Sequence, residues 1–303
     1  MKFKNIFKKL RGGQDSDQYH YLDNCYLPLD KQAIYRTRNI RLIPGSRNRR
    51  GGKLSYAEWA YCVGIFQTLM NLHLQQKESN NILDIGCGTG LLGIASEPFL
   101  AGNGKYTGID VMKRDIDFCR SHYPFPDFNF IHFDVANAAY APGQKENKIK
   151  WPVENDCYDL VTALSVWTHL NQEDALFYFS EISRVLKPAR KAIITFFLLD
   201  DVYRDSIEAR TDQQGEFHML SQKRWIFDQP SYGSDMWFHP KWANIPEEAI
   251  GVNETGLEKL IKCAGMKLVE HYQGNWKEVP GVFFQDILVF EKPEGAAPGE
   301  KAP

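Results

Sequence analysis

The sequence has no surplus of either charge, with 36 Lys and Arg against 38 Asp and Glu and a formal net charge of -2 over 303 residues. A protein whose affinity rests on neutralised phosphates needs a basic excess, so nucleic acid is not an expected partner. There is no CxxC pair among the six cysteines, Cys25, Cys62, Cys87, Cys119, Cys157 and Cys263. That spacing argues against a disulfide frame or a zinc site and fits reduced thiols in a cytoplasmic protein, and no metal is expected. No apolar run is long enough to cross a bilayer, and the N-terminus shows neither a signal-peptide apolar region nor a small-residue cleavage site. What is plentiful is apolar and aromatic side chain, 43% hydrophobic with 19 Phe, 14 Tyr and 7 Trp, ample for a large core.

The stretch that organises the rest is Ile82-Leu-Asp-Ile-Gly-Cys-Gly-Thr-Gly90, followed by the apolar Leu91 to Ala95. It reads as strand, glycine turn, helix, with the carboxylate of Asp84 at the strand end and Gly86, Gly88 and Gly90 letting a ligand approach the main chain. A dinucleotide fingerprint would place its third glycine at position 91, where the chain has Leu91. Twenty residues past Gly90, the strand Tyr106 to Asp110 ends in an acid; in a βαβ unit this spacing lets Asp110 accept both hydroxyls of a ribose. The third strand, Phe128 to Val135, carries Asp134 where a polar group can meet an adenine amino group, and Val111 and Val135 offer apolar faces to the ring.

Around this centre the chain divides into a basic N-terminal helix and irregular arm at 1–53, a domain at 54–292, and a disordered Pro/Gly/Ala tail at 293–303. Within Met1 to Arg11, Phe3, Ile6, Phe7 and Leu10 at helical spacing among lysines can give weak contact with an anionic membrane surface, peripheral to the inner membrane. The arm's arginines, Arg36 to Arg50, are a solvated basic loop or a hold for an anionic group. Leu54 to Leu74 is a helix with Trp59, Cys62, Val63, Phe66, Leu69 and Met70 on one face. Cys157 to Leu164 is the fourth strand, whose C-terminal end should lie beside the first, and Lys191 to Leu199 the fifth. Insertions are expected at 136–156 and 200–250; the second, crowded with Trp225, Phe227, Trp237 and Trp242, is expected to be an irregular lid with Trp237 against an acceptor. A helix at Asn253 to Ala264 and strands at Met266 to Tyr272 and Asp286 to Glu291 complete the domain.

ILDIGCGTG, Asp110, Asp134, YDLVTALSVWTHL and SEISRVLKP together resemble the class I S-adenosylmethionine-dependent methyltransferases of the bacterial type-11/type-12 group. The resemblance implies an α/β, Rossmann-like, seven-stranded, mostly parallel sheet with helices on both faces and a last antiparallel strand. It also implies S-adenosylmethionine as cofactor, with Asp84, Gly86, Gly88 and Gly90 bordering the methionine half, Asp110 the ribose, Val111, Asp134 and Val135 the adenine, and Leu164 and Ser165 the reaction side. SVWTHL and FFQDI are similar to methyltransferases of glycan or glycolipid assembly, so a hydroxyl of a glycan, glycolipid or other small molecule is the expected acceptor. The family's Pro-Gly-Gly turn before the fifth strand is Pro188-Ala189-Arg190 here.

A hydroxyl acceptor at neutral pH needs a base; His169 is the first candidate and Asp286 the second, each with a packing role as its alternative. Two rivals remain: a cofactor-binding member of the fold without turnover, and a nucleotide-cofactor oxidoreductase or epimerase, which Leu91 and the lack of a central TyrxxxLys pair disfavour. Base methylation is disfavoured because the fourth strand runs into Leu164-Ser-Val-Trp and not an Asn/Asp-Pro-Pro-Tyr/Phe turn.

Overall fold

The computed structural model describes residues 41–51, 53–135, 137–140 and 148–295. The basic helix expected at 1–11, most of the arm and the end of the tail lie outside them. The first long element, α1 (Tyr56–His73), starts where Ser55 and Glu58 satisfy each other's backbone N–H in a capping box, and buries the face from Trp59 to Met70 that the sequence pattern marked.

Seven strands form the main sheet: β1 (Asn81–Ile85), β2 (Lys105–Asp110), β3 (Phe128–His132), β4 (Tyr158–Ala163), β5 (Leu186–Phe196), β10 (Lys267–Tyr272) and β11 (Asp286–Glu291). Their order is β10-β11-β5-β4-β1-β2-β3. β1 pairs in parallel with both β2 and β4, and β11 runs antiparallel to both its neighbours, as the Rossmann-like reading expects. The order runs outward from β1 one way and from β4 the other, so the C-terminal ends of these two strands form the topological switch point.

Alternation along the central strands sorts the core into two layers. Leu83, Val161, Ile194 and Leu288 join one cluster with α4 (Gln172–Val185) and α6 (Glu254–Ala264). Ile82, Leu160, Ile193 and Ile287 join the other with α1, α2 (Leu91–Ser96) and α3 (Lys113–His122). Helices thus cover both faces, which is why these strands are apolar on both sides.

Three expectations need adjustment. β5 begins at Leu186, before Lys191, and absorbs Pro188-Ala189-Arg190 as an irregularity between the Tyr158 and Leu160 pairings; Ala189 takes φ 57°, the left-handed region glycine would occupy without strain. β3 stops at His132, leaving Asp134 in the following loop. The 200–250 segment is not irregular throughout: β6 (Leu198–Leu199), β7 (Gln229–Pro230), β8 (Trp237–His239) and β9 (Gly251–Asn253) form a second sheet in the order β6-β9-β8-β7, with α5 (Asp201–Ile207) beside it. Strands of two or three residues are too short to show a period. Trp237 is fully buried beneath this sheet, where a Cβ on Gly256 would come within 2.9 Å of its ring, so it packs the core and does not meet an acceptor.

Candidate active site

At the switch point one cleft of about 2280 Å³ opens between the ends of β1, β2 and β4 and the 200–250 insertion. Drug-sized pockets run to roughly 300–1,000 Å³, so this volume has room for two reactants side by side. Asp84, Gly86, Gly88, Asp110, Val111, Val135, Leu164, Ser165 and His169 all line it. Gly90, Asp134 and Asp286 do not.

The three glycines divide the work of the turn. Gly88 takes φ 51° and has open space where a Cβ would stand, leaving the main chain approachable. Gly90, at φ 91°, is packed instead: a Cβ there would come within 2.5 Å of the Tyr123 ring, whose hydroxyl donates to the carbonyl of Thr89 at 2.9 Å. It supports the turn from behind. Asp110 ties the turn to β2, accepting the N–H of Gly88 and of Met112, each at 2.7 Å. Burial raises its pKa, and those two N–H bonds pull it back toward the charged form.

Asp84 is almost completely buried under the turn, taking the hydroxyl protons of Tyr106 at 2.7 Å and Thr162 at 3.0 Å. Burial nonetheless pushes its carboxyl up to about 7, against those two bonds. The folded protein then keeps this proton up to about pH 7, whereas the unfolded chain releases it near the ordinary 3.8. Stability from this group is therefore full below about pH 4 and is lost progressively as pH rises from there to about 7, by roughly 4 kcal/mol in all. Denaturant unfolding at pH 5 and pH 8 should show that Asp84→Asn removes most of this difference.

On the far side of the cleft Ser165 leaves β4 at φ 60°, its N–H donating to Thr195 Oγ1 at 2.7 Å. Gln285 donates to Ser165 Oγ at 2.9 Å and accepts from Thr195 at 2.7 Å, which places its amide on the cleft wall. Asp286, one residue on, is fully buried on the opposite side of the strand. There it accepts from Leu198 N at 3.0 Å, Gly274 N at 3.0 Å and Trp276 Nε1 at 2.9 Å, with Lys277 Nζ at 2.8 Å and His271 Nε2 at 3.2 Å. Burial would raise its pKa, but His271, Lys277 and the Gly274 N–H hold it below the ordinary carboxylate range. A carboxylate so enclosed cannot reach an acceptor, and the assignment of Asp286 as a base is withdrawn.

His169 remains. It closes the short turn Trp167–His169 after β4, and its Nδ1 lies 2.7 Å from the carbonyl of Glu247. A carbonyl only accepts, so Nδ1 carries the hydrogen and Nε2 keeps its lone pair. Nε2 is 3.1 Å from the Tyr140 hydroxyl, which donates to it. Burial lowers the imidazole pKa, partly offset by the Glu247 carbonyl, so the ring is neutral at working pH.

Asp134 is exposed, and at its level the wall is made by the side chains on either side, Phe133 and Val135. The chain turns there, the Val135 N–H donating to the Phe133 carbonyl at 2.9 Å, and the Asp134 side chain stands outside the cleft, away from an adenine amino group. Of the arm's arginines, Arg49 donates to the carbonyls of Pro44 and Leu54 and serves the fold, and Arg50, on the cleft wall, pairs with Asp115 at 3.3 Å. Tyr140, Glu247, Gln285 and Thr89 belong to the wall without having been picked out from sequence.

These residues fit a cofactor of the expected kind. The Thr89 hydroxyl, 2% exposed, has no partner among the described residues in a turn that lines the cleft, as a polar ligand beside Gly88 would require. Asp110 has acceptor capacity beyond its two N–H bonds for ribose hydroxyls, and Val111, Phe133 and Val135 supply the apolar surface an adenine needs.

Comparison with known proteins agrees with this arrangement. Residues 82–189 match the family model described as a methyltransferase domain. An O-methyltransferase of Pyrenophora dematioidea is 29% identical over 129 residues, 42% of this chain and 43% of that protein. O-methyltransferase cnsE of Penicillium expansum is 24% identical over 206 residues, 66% of this chain and 57% of that one. The chain thus spans about half the length of these curated relatives. Among solved structures, the PH0226 protein of Pyrococcus horikoshii has a TM-score of 0.50 at 16% identity, covering 78% of this chain and 92% of its own. The [4+2]-cyclase SpnF has a TM-score of 0.50 at 13% identity, covering 88% and 95%. Likeness at that distance concerns the fold and does not choose a reaction. The matched model and the seven-stranded sheet agree on the segment around the glycine turn: residues 82–189 carry a methyltransferase domain, of the kind whose cofactor is S-adenosylmethionine.

Proposed function

We propose that the protein transfers the methyl group of S-adenosylmethionine to a hydroxyl oxygen of a small-molecule acceptor. When bound, the cofactor supplies a methyl group already activated on sulfonium, so the protein's tasks are alignment and the removal of one proton. The observation that carries the oxygen assignment is His169, a neutral imidazole with its lone pair held on the cleft side by the Glu247 carbonyl. An alcohol or phenol gives up its proton only to such a base, whereas a carboxylate acceptor needs none. The two relatives named O-methyltransferases support the same reading.

Asp110 and the Gly86–Gly88 turn would hold the adenosine and methionine ends, and Leu164 and Ser165 border the reacting side. The acceptor half is faced by Phe197, Trp225, Phe283 and Phe284, flat apolar surfaces that suit an aromatic ring or the C–H face of a sugar. A glycan or glycolipid acceptor remains compatible with that wall. Membrane contact gains no support: no helix among the described residues is long and apolar enough to cross a bilayer, and 1–11 lie outside them.

The test is transfer of labelled methyl from the cofactor to fractionated small-molecule extracts by the purified protein. Label should enter a base-stable ether. Label in a base-labile ester or on nitrogen would overturn the oxygen assignment, and tight cofactor binding with no transfer to any fraction would favour the non-catalytic alternative.

A further inference from the structure

Glu247, 3% exposed, faces two partners with its two ends. Its backbone carbonyl accepts the Nδ1–H of His169 at 2.7 Å, and both carboxylate oxygens lie 2.9 Å from the hydroxyl of Tyr232, which donates to them. Both ends belong to one residue inside the tight turn Pro246–Glu248, so an anchor on the carboxylate bears on the turn that presents the carbonyl. Tyr232 itself is held at φ 52°, ψ 33°, where a bulky side chain is strained. The residue is 69% exposed overall, while its hydroxyl reaches in to the buried carboxylate. Strain of this kind persists where the surroundings fix it and gathers at functional sites.

We propose that Tyr232 is a positioning residue for His169, acting through Glu247: the phenol fixes the buried carboxylate, the carboxylate fixes the turn, and the turn's carbonyl selects the imidazole tautomer with no hydrogen on Nε2. The proposal rests on the reading of His169 as base, but it concerns the tautomer and can fail separately. Without the phenol, the carboxylate has lost a donor in a site nearly closed to water and must seek another. Asp174 and His239 are the charged or titratable neighbours near enough to feel its charge. A carboxylate that re-pairs moves the turn it belongs to, and with it the carbonyl that fixes Nδ1.

Imidazole nitrogen NMR on the full chain, with the His169 signals assigned by their loss in His169→Gln, reads the tautomer directly. Wild type should show hydrogen on Nδ1. Tyr232→Phe, which removes only the hydroxyl, should shift His169 toward a mixture with hydrogen on Nε2, and methyl transfer should fall about tenfold while cofactor affinity stays level. Glu247→Gln keeps an oxygen to accept the phenol proton and should shift the tautomer less. An unchanged His169 tautomer in Tyr232→Phe overturns the proposal. A shifted tautomer with full turnover in His169→Gln would uphold the positioning role and reject the base.

Discussion

Asp110→Ala is expected to weaken S-adenosylmethionine binding by a hundredfold or more, the largest loss of affinity from any single side chain in the cleft. Two ribose hydroxyls donating to a charged acceptor contribute about 1.5–3 kcal/mol each, or roughly 10² to 10⁴ in affinity together. The structure adds a second route to the same loss. Asp110 also accepts the N–H of Gly88, so the variant leaves that N–H unpaired and frees the turn that a methionine moiety would lie against. Asp110→Asn keeps an oxygen for one of these donors and should fall between. Titration calorimetry on the folded variants decides the matter. Unchanged affinity in Asp110→Ala would remove the carboxylate from the cofactor site.

Asp110 was legible in the sequence because two constraints agree on it: a fixed distance from a glycine turn and a position at the end of an apolar strand. The same double constraint placed β1, β2 and β4 and the helix α1, whose capping box and apolar stripe lie within a single contiguous segment. Residues resting on one constraint fared less well. Asp134 was taken from its rank in a series of strand-end acids, but β3 ends two residues earlier, and the tight turn that follows puts Phe133 and Val135 on the cleft wall and Asp134 outside it.

The pair Gln285 and Asp286 shows how small the deciding increment is. Successive strand residues face opposite sides, so a shift of one exchanges the cleft for the core. Nothing in FFQDI states which parity holds; that is fixed by the pairing of Asp286 with Phe196 and Ile287 with Thr195. Lys277 and Trp276 then settle Asp286 on the buried side, through contacts made by a turn ten residues upstream. Glu247 was harder still, because it meets His169 through its backbone carbonyl, and any residue type could offer that atom. Tyr140 lies 29 positions from His169 in an insertion without periodicity, and only the fold brings the two rings to 5.0 Å.

Turnover is the second place where a large effect is expected: His169→Gln should lower methyl transfer by about 10² to 10⁴ with folding and cofactor affinity preserved. Glutamine removes the basic lone pair, and His169→Asn, whose amide nitrogen falls near the position of Nδ1, is the companion variant that keeps a donor for the Glu247 carbonyl and so the anchor of the turn Pro246–Glu248. The pH dependence separates this from a packing effect. Burial holds the His169 pKa below the ordinary 6.5, the Glu247 carbonyl offsetting only part of the shift. Protonation removes the base, so the wild-type rate should be level at neutral pH and fall in acid, with its midpoint below 6.5. In His169→Gln the residual rate should lack that limb. Tyr140→Phe removes the hydroxyl that rests on Nε2 in the absence of an acceptor, so it leaves the lone pair in place and should keep the acid limb whatever it does to the rate. Near-full turnover in His169→Gln, with the acid limb intact, would make His169 a packing residue. No carboxylate at Asp286 stands ready to replace it, and the acceptor would then be one that arrives without a proton to lose.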